Sequence, residues 1–191
     1  MNIQQMNNAF QGQGTPVMCG EVLNKGYDIS NLTQVMNNGA DKALVAGIPC
    51  AIANQAANTT FPIAGTNPSN LVATVATTTG DISGVILAGQ TDIASRSGGA
   101  PYAQNGEICN VGTFGSGIEV FVKANANTAN ININTTVYWD LTNGELTTVA
   151  PATNPVAFAG KVIGGLVDAV SLQTVSGLVQ WTACKALKVR L

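Results

Sequence analysis

Residues 136–148 read Thr-Val-Tyr-Trp-Asp-Leu-Thr-Asn-Gly-Glu-Leu-Thr-Thr and predict a β-hairpin. Asn143 and Gly144 stand between two β-prone runs. An Asn-Gly pair is the strongest short-range hairpin signal, because both residues tolerate the positive φ angles of a tight type I′ turn. A two-residue loop at this pair would place Leu141 opposite Leu146. We therefore expect a tight hairpin here, with the rest of the fold arranged around it.

The same register divides the hairpin into two chemically different faces. One face carries the side chains of Val137, Trp139, Leu141 and Leu146. The other face carries those of Tyr138, Asp140, Glu145 and Thr147. Since opposite residues of a strand pair share a face, the apolar set predicts a core side and the polar set a solvent side. The hairpin is predicted to anchor the fold, not to carry out a reaction, and Tyr138 is a candidate contact residue on its outer face.

The composition favours strands and loops over helices. The chain has 191 residues, of which 46% are hydrophobic and only 9% are charged. It contains 20 Asn, 20 Thr and 21 Gly residues, which are poor formers of helix interiors. These uncharged residues must supply much of the polar surface that Lys, Arg, Asp and Glu supply in an average domain.

Outward from the hairpin, the sequence consists of short apolar runs separated by Gly, Asn and Pro. The runs that read as strands are 17–20, 43–52, 59–63, 71–76, 84–89, 107–111, 118–123 and 186–191, and residues 158–165 and 166–169 read as a further strand and turn. The run 84–89 is unbroken by polar residues, which predicts burial on both faces. Many short strands without a convincing helix predict an all-β fold, either a jelly-roll-like sandwich or a small β-barrel of many short antiparallel strands.

Two of these strands have clear inner and outer faces. In 118–123, alternation puts the aliphatic residues on one face and leaves Glu119, Phe121 and Lys123 on the other, so that Phe121 becomes a candidate contact residue. In 186–191, the same alternation places Leu187, Val189 and Leu191 inward.

The first sixteen residues are predicted to be a flexible N-terminal arm attached to a single β-domain of residues 17–191. The segment is rich in Asn and Gln, and its apolar residues Ile3, Met6 and Phe10 are too few to bury a core. The arm is either a frayed terminus or a segment that becomes ordered on a neighbouring subunit. In the second case Ile3, Met6 and Phe10 are its candidate contact residues.

Residues 124–134 form a second low-complexity segment, in which Asn recurs at nearly every second position. A strand with this pattern would present a row of amides to another chain. The alternative is a solvated loop.

The residue inventory argues against an enzyme and against several classes of ligand. The chain has no histidine, so the usual triads and the usual general base at neutral pH are missing. Its ten carboxylates read mainly as turn caps and strand faces. Its four cysteines lie far apart, which predicts reduced and buried thiols and no metal site. We expect no cofactor.

Charge and hydropathy give further expectations about partners and location. A net charge of −2 gives no basic surface for nucleic acid, and no apolar stretch is long enough to cross a membrane. Weak self-repulsion is compatible with close packing in an assembly. Without a visible signal peptide, the chain is expected to be made in a cytoplasm.

The half of the chain from about residue 84 to residue 191 resembles the cement or decoration proteins that stabilise the capsids of tailed bacteriophages. The resemblance lies in 137–140 with the following Thr-Asn-Gly-Glu-Leu-Thr turn, in the glycine-flanked strand 160–164, and in the terminal Lys-Val-Arg-Leu of 188–191.

This resemblance implies a non-enzymatic virion protein on the outer capsid surface. Such a protein binds at contacts between major capsid proteins, often as a dimer or trimer, and stabilises the expanded head. The residues also allow a carbohydrate-binding β-sandwich of a head fibre or surface adhesin, with Tyr102 or Tyr138 as sugar platforms.

Overall fold

A computed structural model describes residues 17–23, 32–37, 44–54, 71–75, 82–88, 102–103, 108–152, 155–175 and 178–191. The regular structure of the described residues is nearly all β-strand, which confirms the all-β prediction. The predicted arm of residues 1–16 and the predicted strand 59–63 lie outside the described residues.

Fourteen strands and one 3₁₀ turn make up the regular structure of the described residues. In chain order the strands are β1 (Val17–Met18), β2 (Leu32–Asn37), β3 (Leu44–Val45), β4 (Pro49–Asn54), β5 (Leu71–Val75), β6 (Gly84–Ile86), β7 (Tyr102–Ala103), β8 (Ile108–Thr113), β9 (Glu119–Ala124), β10 (Tyr138–Asp140), β11 (Glu145–Thr147), β12 (Val156–Ala157), β13 (Lys161–Val175) and β14 (Leu178–Arg190). The 3₁₀ turn is Ala126–Thr128.

Five strands of the first half close into a small barrel in the order β2-β5-β4-β6-β8. All neighbours are antiparallel except β2 and β5, which are parallel. The barrel core contains Leu44, Cys50, Ile86, Cys109 and Val111. On β6 the residue before Ile86, Val85, belongs to a second and larger core, which confirms the predicted burial of this strand on both faces.

The second half of the chain, together with β1, forms a seven-stranded sheet in the order β1-β13-β14-β9-β11-β10-β12. It includes two parallel pairs, β1 with β13 and β9 with β11, and two long strands of 15 and 13 residues, β13 and β14. The expectation of short antiparallel strands throughout therefore does not hold for this sheet. The long pair runs to Val175 opposite Leu178, on either side of a Ser-Gly dipeptide that is itself a turn signal.

The hairpin of residues 136–148 is present, but its loop is wider than predicted. Asp140 pairs with Glu145 and Trp139 with Leu146, so the loop has four residues, 141–144. Gly144 has the expected positive φ of +62°, whereas Asn143 is not among the residues with positive φ, and the type I′ prediction is wrong.

The wider loop is closed by the carboxylate of Asp140. The backbone N–H groups of Thr142 and Asn143 both donate to Asp140 Oδ1, at 3.0 and 3.2 Å. The Asn143 amide also donates to Asp140 Oδ2 at 2.7 Å. A side chain that takes over the turn's hydrogen bonds makes a four-residue loop compatible with the flanking strands.

The predicted faces of the hairpin survive the change of register, because a shift by two residues leaves inner and outer sides unchanged. Val137, Trp139 and Leu146 are buried in the large core. The Trp139 ring contacts Phe158 edge-on, with ring centroids 5.6 Å apart. On the other face, Thr147 is buried and the remaining polar residues are half-buried.

Segment 17–23 joins the two edges of a strongly rolled part of the sheet. The Cys19 N–H donates to the Val170 carbonyl of β13, and the next N–H, of Gly20, donates to the Phe121 carbonyl of β9. Val22 forms a further antiparallel bridge to Val120. β13, β14 and β9 are consecutive neighbours in the sheet. These bonds therefore close the three strands and segment 17–23 into a ring of four segments, which we call the roll.

The interior of the roll accounts for one wrong prediction. Phe121 does lie on the face of β9 opposite Val120 and Val122, as the alternation predicts. That face lines the roll, and Phe121 packs there with Ala169 and Ala186 at 9% exposure. It is therefore not an exposed contact residue, because segment 17–23 covers a face that alternation alone leaves open.

The end of β14 follows the prediction. Leu187, Val189 and Leu191 are buried in the large core, while Arg190 is exposed and Lys188 is half-buried on the opposite side.

Candidate interaction surface

The Asn-rich segment 124–134 is a loop, not a strand that offers an edge to another chain. Its main feature is the 3₁₀ turn Ala126–Thr128, where the side chain of Asn125 accepts a hydrogen bond from the Asn127 N–H as a cap. Of the two predicted alternatives, the structure confirms the loop. Asn residues suit it because their short amides compete with regular backbone hydrogen bonding.

Part of this loop is fastened to the hairpin by amide side chains. Asn127 donates to Thr147 Oγ1 at 2.8 Å and accepts from the Thr148 N–H at 3.2 Å. Asn125 donates to Glu145 Oε1 at 2.8 Å. The 3₁₀ turn is therefore held beside the end of β11, and several of the amides serve the fold itself.

A second turn, at residues 132–135, holds an exposed aliphatic side chain in place. The Thr135 N–H donates to the Asn132 carbonyl at 3.1 Å, and the Asn132 N–H donates back to Thr135 Oγ1 at 3.1 Å. Asn134 has φ +66° and donates its N–H to the Val162 carbonyl of β13 at 3.0 Å. Ile133, inside this tethered turn, is 66% exposed.

The exposed residues of the loop and of the segment that follows β11 are all uncharged, and we refer to them together as the uncharged surface. Its exposed residues are Ala126, Asn127, Ala129, Asn130, Asn132, Ile133, Asn134, Thr136, Val149, Ala150 and Ala152. Ile133 and Val149, at 66% and 64%, are the exposed large hydrophobic residues of the described part of the chain. The sequence has no charged residue between Lys123 and Asp140 or between Glu145 and Lys161.

Several charged residues of the same sheet form ion pairs with one another. Lys123 lies 3.5 Å from Glu145 and also donates to the Asn143 carbonyl. Glu119 contacts Arg190 at 2.6 Å and Lys188 at 3.1 Å. These hydrogen bonds, that of Arg190 first, lower the pKa of the Glu119 carboxyl below its usual value. These charges therefore neutralise one another within the sheet, and none of them belongs to the uncharged surface.

The predicted contact residues are placed differently by the structure. Ile3, Met6 and Phe10 lie outside the described residues, as does the side chain of Tyr102. Phe121 is buried, as described above. Tyr138 is half-buried, between Thr147 on β11 and Ala157 on β12.

Sequence reasoning missed Ile133 and Val149 as candidate contacts. Both interrupt polar runs, Ile133 between two Asn residues and Val149 after two Thr residues. Ile131 and Ile133 alternate with Asn residues, and this alternation alone does not distinguish a core face from an exposed loop.

The four cysteines are free thiols; three are buried and Cys184 is half-buried. Burial raises the pKa of Cys50 and of Cys109, so both thiols stay protonated and unreactive at neutral pH.

Within the described ranges, no group of His, Cys, Asp or Glu side chains is arranged to hold a metal ion. No helix in the described part of the chain has the length and apolar character needed to span a membrane.

In comparisons with known proteins, no family model, no curated protein and no solved structure matches this chain.

Proposed function

We propose that this chain is a non-enzymatic structural protein of a tailed-bacteriophage virion. It binds the outer surface of the icosahedral head at contacts between major capsid proteins and stabilises the expanded capsid. The resemblance of residues 84–191 to capsid cement proteins supplies the class of partner. The uncharged surface is the observation that supports a docking role.

Docking removes the side chains of the contact surface from water. Charged residues are depleted in the cores of protein interfaces, because desolvating a charge is costly unless it is paired. The uncharged surface carries no such charge, and it offers Ile133 and Val149 as aliphatic groups whose burial is favourable. The hydrogen bonds of the 132–135 turn hold Ile133 in position before binding, which reduces the entropy lost on association.

A capsid lattice would strengthen such contacts by repetition. Two exposed aliphatic side chains and a set of amides make a modest single interface. A dimer or trimer that engages two or three equivalent capsid sites converts later contacts into intramolecular ones, with a large gain in avidity. We therefore propose a homo-oligomer on the capsid, with the major capsid protein as partner.

The test is co-sedimentation of the purified full-length protein with expanded heads that lack it, prepared from the phage that encodes the chain. Binding should saturate at a fixed ratio to the major capsid protein, and the decorated heads should resist heat or low salt better than bare heads. Absence of saturable binding by a folded protein would contradict the proposal. Binding to a glycan array in that case would support the adhesin alternative.

A matched pair of variants tests the surface itself. Ile133→Asp puts a charge on the uncharged surface and should weaken head binding at least tenfold, since the carboxylate must be desolvated. Gln180→Asp puts the same charge on an exposed position of β14 and should leave head binding unchanged. Equal binding by both variants would show that the uncharged surface is not the docking site.

A further inference from the structure

Two cysteines far apart in sequence meet inside the roll. Cys19 Sγ and Cys184 Sγ are 3.6 Å apart, although 165 positions separate them in the chain. They share the interior with Phe121 and with two small residues, Ala169 and Ala186, which leave room for the sulfur atoms. A modest side-chain rotation would bring the two sulfurs to bonding distance.

The backbone holds both residues in this arrangement. Cys19 donates its N–H to the Val170 carbonyl at 2.9 Å. Cys184 of β14 lies directly opposite Ala169 of β13. On its other side Cys19 is closely backed by Gly47, where an added Cβ would lie 2.5 Å from the Cys19 Cβ. Cys19 therefore has no room to move away from Cys184 without disturbing the turn that contains Gly47.

The two thiols have unequal access to solvent. Cys184 is half-buried, whereas Cys19 is 1% exposed. The hydrogen bond with Cys19 holds the pKa of the Cys184 thiol below its usual value, while the same bond and burial raise the pKa of the Cys19 thiol. Cys184 is thus the thiol that an external reagent meets first, and its lowered pKa favours the reactive thiolate form.

We propose that Cys19 and Cys184 are a disulfide-forming pair, oxidised by small-molecule disulfides, whose cross-link fastens segment 17–23 to β14. The cross-link would close the roll covalently at the point where hydrogen bonds alone now close it. This inference stands on the sulfur geometry and is independent of the proposed capsid role.

The reaction takes place in two exchange steps. The Cys184 thiolate, its proton released to solvent, attacks one sulfur of the small disulfide; that S–S bond breaks and one thiol leaves as a thiolate, which takes up a proton. Cys19 then loses its proton to solvent and attacks Cys184 Sγ, which forms the internal S–S bond and expels the second small thiol. The protein loses two electrons and two protons, and the small disulfide gains both.

The barrel cysteines provide an internal control. Cys50 and Cys109 are 0% and 1% exposed, and burial raises the pKa of each thiol. Neither should be oxidised under conditions that cross-link Cys19 to Cys184.

The experiment treats the reduced full-length protein with oxidised glutathione and follows it by intact mass and by peptide mapping without reduction. We expect the mass of two hydrogens to be lost and a linked peptide that contains Cys19 and Cys184. The oxidised protein should melt higher than the reduced protein by roughly 5 °C or more, because the link closes a very long loop. Cys184→Ala should abolish both effects, whereas Cys50→Ala should retain them.

Other products would overturn the proposal. A stable glutathione adduct on Cys184 without closure would show that Cys19 cannot reach it in solution. The proposal would also be overturned by a cross-link to Cys50 or Cys109, by a dimer linked between chains, or by a protein that stays fully reduced. Because peptide mapping is carried out on the wild-type protein, the result does not depend on the folding of any variant.

Discussion

The two hairpins of the seven-stranded sheet are built on different principles. The short hairpin, β10–β11, has strands of three residues, a loop organised by Asp140 and Gly144, and one dominant core residue, Trp139. The long hairpin, β13–β14, pairs over more than ten positions, with the large core on one side near its base and the roll interior on the other. Local turn chemistry and a single anchor define the first, whereas burial on two faces defines the second.

This difference shows where each hairpin is vulnerable. The short one should be sensitive to its anchor and to its loop. The long one should be sensitive to side-chain volume inside the roll and insensitive to changes on its exposed positions. The following predictions test this contrast from the largest expected effect to the smallest.

Trp139→Ala should have the largest effect, a loss of about 3–5 kcal/mol in the free energy of unfolding, because it empties the largest fully buried position. Trp139→Phe should cost much less. The Trp139 Nε1–H is buried and has no hydrogen-bond partner among the described residues, so its removal also removes a desolvation penalty. Urea unfolding measures both. A loss below about 1 kcal/mol for Trp139→Ala would mean that this hairpin is not an anchor.

Ala169→Leu should lower the free energy of unfolding by about 1–3 kcal/mol, since three more carbon atoms must fit into the packed roll interior around Ala169 and Ala186. Ala183→Leu makes the same change at an exposed position of β14 and should shift stability by less than about 0.5 kcal/mol. Thermal unfolding of the two variants checks the difference. Equal melting temperatures would indicate that the roll is loosely packed or open in solution.

Gly144→Val should cost about 1–2 kcal/mol, because its φ of +62° is strained for a β-branched residue. Gly144→Asn should lower the free energy of unfolding much less than Gly144→Val, since Asn tolerates the same conformation. Space is not the limit, because an added Cβ would lie 3.6 Å from Ile48 Cγ2. If both variants unfolded at the same urea concentration, backbone conformation could not be the reason for Gly at this position.

Glu119→Gln should have the smallest effect, below about 1 kcal/mol at neutral pH, because its partners Lys188 and Arg190 are partly exposed to solvent. The pKa of the Glu119 carboxyl is lowered in the folded protein, so its stabilisation is present above its ordinary value of 4.5 and is lost as pH falls through the folded value. The stability gap between wild type and variant should therefore narrow on acidification. Urea titrations at neutral and at acidic pH measure it, and a gap that widens would contradict the assignment.

The sequence predicted those features that depend on alternation and on composition. The buried faces of 118–123, 137–146 and 187–191 follow from periodicity two. The burial of β6 on both sides follows from an unbroken apolar run, and the all-β class from composition and the many short strand-like runs. The loop of the short hairpin did not follow, because the Asp140 carboxylate competes with the Asn-Gly turn, and propensity alone does not rank the two.

The roll could not be predicted, because it depends on contacts between residues separated by most of the chain. No local pattern shows that Cys19 lies against Cys184 or that segment 17–23 covers Phe121. The exposure of Ile133 and Val149 is likewise decided by where the 3₁₀ turn and the 132–135 turn are fastened. For this reason the uncharged surface was found from the structure, while the candidate Phe121 was not supported.

The closure of the roll by segment 17–23 also determines when the protein can finish folding. Among its first described residues, Cys19 requires Val170 of β13 as acceptor and Gly20 requires Phe121 of β9. On a ribosome, which adds about 5–20 residues per second, this early segment must wait many seconds for its partners to emerge. Closure of the roll therefore depends on long-range contacts, which form slowly. Until then Phe121 and the two thiols that meet in the roll remain accessible, and chaperones and oxidants can act on them.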